Sequence, residues 1–81
     1  MHYVLARITV KPEVAELAKG ILVDLATKSR QEPGCMGYEL YQQAEAPHVF
    51  QTVEQWQAKA DADAHMLFAA APEIVAYSRL I

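Results

Sequence analysis

The sequence contains no asparagine, a single cysteine, three glycines and four prolines in 81 residues. One cysteine, Cys35, excludes an internal disulfide and any paired-cysteine metal or redox motif. Gly20, Gly34 and Gly37 are too few and too scattered to build a phosphate-cradling loop. Positive charge is not in surplus either: seven Lys and Arg stand against ten Asp and Glu, for a net charge of −3 and a pI near 5.5. The basic residues form no patch, so neither nucleic acid nor an anionic membrane surface is an expected partner. No apolar run approaches the roughly 20 residues that a membrane-spanning helix needs. The chain opens on a strand pattern rather than on a basic and then apolar leader, and the expected location is the cytoplasm. His2, His48 and His65 fall on different elements without ligand spacing, so no metal is expected.

What is present in excess is apolar character, at 53% hydrophobic against 21% charged residues. Residues 1–81 suit one domain. A chain this short buries a modest fraction of its surface, and here more apolar surface is available than one small core can hide. Association of identical subunits covers the remainder, so a homodimer is expected.

Along the chain, residues 2–10 alternate as a strand with Val4, Ala6, Ile8 and Val10 on one face and Tyr3, Leu5, Arg7 and Thr9 on the other. Lys11-Pro12-Glu13 reads as a helix start. Val14, Leu17, Ala18, Ile21, Leu22, Leu25 and Ala26 follow as an apolar stripe, with Gly20 allowing a close approach to the sheet. Glu32-Pro33-Gly34 stops the helix and turns the chain. A second strand is expected over 35–43, with Met36, Tyr38 and Leu40 on one face. A short connection through Ala44-Glu45-Ala46-Pro47 leads to a third strand from about His48 to Trp56. An alanine-rich helix over about 57–70 carries Ala60, Ala64, Leu67 and Phe68 as its apolar stripe and ends at Pro72. A last strand runs through 73–81.

The order β-α-β-β-α-β predicts an α+β, ferredoxin-like fold: a four-stranded antiparallel sheet with two helices on one face. The other face is left bare yet largely apolar, and a second copy packed sheet to sheet is the expected cover.

Several stretches together resemble the antibiotic biosynthesis monooxygenase (ABM) family of dimeric α+β barrels. They are Glu32-Pro33-Gly34-Cys35, Gly37-Tyr38-Glu39-Leu40, Phe50, Val53-Glu54-Gln55-Trp56 and Asp63-Ala64-His65. The likeness covers nearly the whole chain. It implies a pocket between sheet and helices and a cofactor-free oxygenase acting on a quinol-like or phenolic small molecule with O2. Members of the family also include haem-degrading enzymes and isomerases of small signalling molecules. The haem-degrading pattern has an asparagine on the first strand, and its absence here counts against that activity.

A cofactor-free oxygenase needs a base, a dry pocket and donors for an oxyanion. His65 is the expected base, oriented by Asp61 one turn earlier. Trp56 and Arg7 join it as expected catalytic residues, Arg7 as the oxyanion partner. Tyr38, Tyr41, Phe50 and Glu54 are expected to line the substrate site, with no cofactor. Plainer roles compete: a packed core histidine at 65, a core tryptophan at 56, and cross-strand pairing of Glu54 or Glu39 with Arg7 or Arg79. A non-catalytic dimeric ligand-binding module on the same fold is the second functional expectation.

Overall fold

The structure is a computed structural model, and it describes residues 1–66, 73–77 and 79–81. Four strands make one antiparallel sheet: β1 (His2–Thr9), β2 (Cys35–Gln43), β3 (Ala46–Trp56) and β4 (Glu73–Tyr77), in the order β2-β3-β1-β4. Two α-helices, α1 (Ala15–Ser29) and α2 (Lys59–Met66), complete the α+β ferredoxin-like arrangement expected from the sequence. The hairpin between β2 and β3 closes more tightly than its composition suggested. Gln43 pairs with Ala46, so only Ala44 and Glu45 lie between the strands.

Period-2 alternation decides which side chains meet the helices. Val4 and Ala6 of β1, Tyr38 of β2, and Phe50, Thr52, Glu54 and Trp56 of β3 are buried. They are joined by Ala26 and Ser29 of α1 and by Ala62 and His65 of α2. The other side of the sheet carries Tyr3, Leu5, Val49 and Val53, but also Arg7, Glu39, Gln51 and Gln55. That face is more mixed than expected. A shallow groove of about 350 Å³ lies on it, bordered by Tyr3, Leu5, Val53, Gln55, Tyr77 and Arg79.

Several local expectations are corrected. Pro12–Val14 form a 3₁₀ turn before α1, and only part of the stripe read from position 14 packs inward. Leu17 is 67% and Ile21 61% exposed, whereas Ala26 and Ser29 face the sheet. Gly20 makes no close approach, since a Cβ there would meet nothing within 4 Å. A β-bulge between Cys35 and Gly37 slips the register by one residue and turns Met36 outward. On α2, Ala60 and Ala64 are exposed, and Ala62 with His65 (i, i+3) forms the inner face. Leu67, Phe68, Pro72 and Ser78, invoked for the second helix and last strand, lie outside the described residues. β4 ends at Tyr77, and residues 79–81 do not extend it. Among the described residues, no helix is long and apolar enough to cross a membrane.

Candidate functional site

The site is assembled at one end of β3 by a single turn. Glu32-Pro33-Gly34-Cys35 closes with the Cys35 amide donating to the Glu32 carbonyl at 3.1 Å. Proline stands second and glycine third with φ of 80°, the requirements of a type II turn. No other residue suits position 34. Besides the positive φ, a Cβ there would collide with the Asp61 carboxyl group on α2. The turn thereby lets the first turn of α2 settle against it. The Gln57 amide donates to the Gly34 carbonyl at 2.7 Å, locking the end of β3 to the same point. On the other flank the Glu32 amide donates to the Ser29 carbonyl at 3.0 Å, and the Arg30 guanidinium reaches the Tyr38 carbonyl at 2.9 Å.

Around this frame a buried polar cluster forms. Trp56 is 0% exposed, and its indole N–H donates to Glu54 Oε1 at 2.9 Å. The Thr52 hydroxyl donates to Glu54 Oε2 at 2.6 Å, so both carboxyl oxygens of this buried side chain are engaged. His65 projects from α2 onto the same patch. Its ring lies 5.0 Å from the Trp56 indole, tilted at 34°, and 5.3 Å from the Tyr38 ring, edge to face. His65 Nε2 is 3.3 Å from the Tyr38 hydroxyl and 4.0 Å from Glu54 Oε1. His65 Nδ1 is 2.6 Å from Glu32 Oε2. Among the described residues, every buried side-chain nitrogen and oxygen has a hydrogen-bond partner, which is what a low-dielectric interior demands of such a network.

Electrostatics favour one reading of the protons. Burial pushes the Tyr38 phenol well above its usual range; the nearby Glu54 carboxylate adds to this, the Ser29 hydroxyl opposes it, and Glu32 raises it further. Tyr38 therefore stays an O–H and is the donor toward His65 Nε2. The Cys35 thiol is also raised, chiefly by burial, and is a poor nucleophile at neutral pH. Among the described residues, no group of three or more His, Cys, Asp or Glu is arranged to hold a metal.

Four of the seven residues singled out from the sequence, His65, Trp56, Tyr38 and Glu54, converge here. The other three do not. Phe50 is buried on the same face, but six residues along β3 at about 3.3 Å each put it roughly 20 Å from Trp56. Arg7 and Tyr41 stand on the opposite face of the sheet. Arg7 is exposed between Gln51 and Glu73, and Tyr41 donates to Glu39 at 2.6 Å. Neither glutamate pairs with an arginine as expected. Glu54 is bound by Thr52 and Trp56 instead, and Glu39 by Tyr41. Asp61 faces the Gly34 turn, and the carboxylate on the His65 ring comes from Glu32. Glu32, Thr52 and Ser29 were not anticipated. Glu32 read as part of a helix stop, and only the fold brings it to a histidine 33 positions away.

Comparison with known proteins agrees with this architecture. The sequence profile described as antibiotic biosynthesis monooxygenase matches residues 1–75. A crystal structure described by the same words superposes with a TM-score of 0.86 at 26% identity, covering 100% of both chains. A Pseudomonas aeruginosa protein of 29% identity gives a TM-score of 0.86 over 99% of this chain and 94% of its own. A Mycobacterium tuberculosis protein at 19% identity shares the fold, with a TM-score of 0.82 over 99% of this chain and 95% of its own. No curated protein matches the sequence.

Proposed function

Because the chain belongs to the antibiotic biosynthesis monooxygenase family, we propose that it is a cofactor-independent monooxygenase of a quinol-like or phenolic small molecule. On this reading residues 1–81 act as one domain within a homodimer. The observation that carries the proposal is the buried His65 ring, held on one nitrogen by Glu32 and on the other by the Tyr38 hydroxyl. A phenolic proton passes to His65 Nε2 through that hydroxyl. The ring then becomes a cation between two carboxylates, Glu32 at 2.6 Å and Glu54 at 4.0 Å. The phenolate left behind is electron-rich enough to pass an electron to O2. A phenol that ends as a quinone supplies all four electrons itself: one oxygen atom enters the ring and the other leaves as water. Trp56, with its N–H committed to Glu54, presents an aromatic face beside His65.

The test is oxygen uptake with a panel of hydroquinones and polycyclic phenols, comparing the natural protein with His65→Ala. Uptake that requires His65 is expected, with a loss on the order of 100-fold in the variant. Uptake at the protein-free rate across the panel would sink the proposal. A second reading, a non-catalytic dimeric ligand-binding module, draws on the full burial of Trp56 and the saturation of its indole N–H. Saturable ligand binding without oxygen uptake would select it.

A further inference from the structure

We propose that Glu32 is the positioning residue of this site: it pins the His65 ring with a proton on Nδ1, keeps Nε2 as the acceptor, and is where a proton leaves the buried cluster for solvent. The catalytic half of this inference rests on the acid–base role given to His65 above. The half concerning the ring does not.

The titratable groups around the ring come from β2, β3, α2 and the turn before β2. Tyr38 approaches from β2, Glu54 and Trp56 from β3, Asp61 lies one turn earlier on α2, and Glu32 reaches in from the turn before β2. A neutral imidazole donates from one nitrogen and accepts at the other, and the stronger fixed partner selects which. A carboxylate only accepts, so the 2.6 Å contact places the proton on Nδ1. The partner of Nε2 is a phenol held as O–H, which donates. Glu54 does not compete for the ring, since both its oxygens are engaged and Nε2 is 4.0 Å away. Asp61 is turned toward Gly34 instead.

Two further observations separate Glu32 from an incidental neighbour. Its backbone is fixed on both sides, by its own amide to Ser29 and by the Cys35 amide to its carbonyl, so the carboxylate is aimed rather than drifting. Its side chain is also 30% exposed, while those of His65 and Glu54 are each 4% exposed. A proton arriving at Nε2 therefore has a route out: the ring releases the Nδ1 proton to Glu32, the N–H bond breaking as the O–H bond forms, and Glu32 gives that proton to water. The starting tautomer returns when Nε2 passes its proton back through Tyr38 to the reduced oxygen that leaves as water and Nδ1 regains a proton from solvent through Glu32.

The test reads the ring directly. Long-range proton–nitrogen NMR spectra of labelled protein resolve the three histidines, with His65 assigned by its loss in His65→Ala. At the alkaline end of a titration, where the ring holds one proton, the natural protein should show protonated Nδ1 and bare Nε2. Glu32→Ala should move most of that proton to Nε2. Glu32→Gln should keep it on Nδ1, since the amide oxygen still accepts, yet lower kcat on the order of 10- to 100-fold with KM changed by less than about threefold. Glu32→Asp should recover part of that loss. A proton on Nε2 in the natural protein, or a tautomer indifferent to Glu32→Ala, would overturn the inference whatever the activity. Far-UV circular dichroism establishes that each variant is folded, and the natural protein's own spectrum decides even if one is not. Should no quinol be consumed by the natural protein, the monooxygenase proposal and the proton exit fall together, and the spectra still decide the positioning role.

Discussion

Strand β3 presents two faces that are each half apolar and half polar. Toward the helices it sends Phe50, Thr52, Glu54 and Trp56, all buried; away from them it sends Val49, Gln51, Val53 and Gln55, all half-buried. The dry side thus carries a carboxylate and a hydroxyl, and the open side carries valines. A sheet with one wet face normally divides apolar from polar more cleanly. The carboxylate is tolerated because its oxygens are bonded to Thr52 and Trp56, so on the covered face polarity marks a built network. On the open face, apolar residues interleaved with Arg7, Gln51 and Gln55 mark a surface suited to a polar-rimmed contact with a second copy.

The largest difference expected between these faces is in stability. Trp56→Ala removes a wholly buried indole and leaves Glu54 without one of its donors. A loss of about 3–5 kcal/mol is expected in urea unfolding. Val53→Ala, a few residues away but on the open side, should cost about 1 kcal/mol or less in a dilute monomer. Equal losses would mean that the two faces are equally covered.

The open face is sharpened next. If a second copy covers it, Val53→Asp places a charge in an apolar contact beside Leu5, its neighbour across β1 and β3. The expected penalty is about 1–3 kcal/mol, or roughly 5- to 150-fold in the dimer dissociation constant. Sedimentation over a dilution series reads it directly. A natural protein that is monomeric and folded at micromolar concentration would remove the second copy from the account.

The element order was legible in the sequence because alternation is local, and each strand residue is placed by its own neighbours. Three of the site residues were legible for the same reason: Tyr38, Glu54 and Trp56 share one side of adjacent strands. What could not be read was anything set by a slip in register or a contact across the fold. The bulge after Cys35 reverses Met36, and the way α1 lies on the sheet leaves Leu17 and Ile21 exposed. Arg7 was grouped with His65 because both were chemically suitable, though strand parity already put it on the opposite side from Glu54's neighbour Val4. Glu32 was hidden more deeply. Its Pro-Gly context explains a turn so well that nothing local asks for a second role.

The finest contrast is between two tyrosines of β2, one on each face. Tyr38 is raised mainly by burial, and Tyr41 by its hydrogen bond to Glu39, with Tyr41 open to solvent. Both shifts have the same sign, yet only the first belongs to the folded interior. A phenol raised by folding holds its proton in the native state after the unfolded chain has begun to lose it. Its contribution is therefore fully present below about pH 10, the unfolded value, and is lost as pH climbs through the native one. For Tyr38 the loss is about 0.4 kcal/mol at pH 10 and steepens toward roughly 1.4 kcal/mol per pH unit above it. Tyr38→Phe should flatten this alkaline limb in urea unfolding measured from pH 8 to 11, whatever it does to stability at neutral pH. Tyr41→Phe should leave the limb unchanged, because solvent screens a pair so exposed. If the two variants flatten it alike, the covered face is wetter than its burial implies, and the base, the relay and the dry site proposed around His65 lose their common premise.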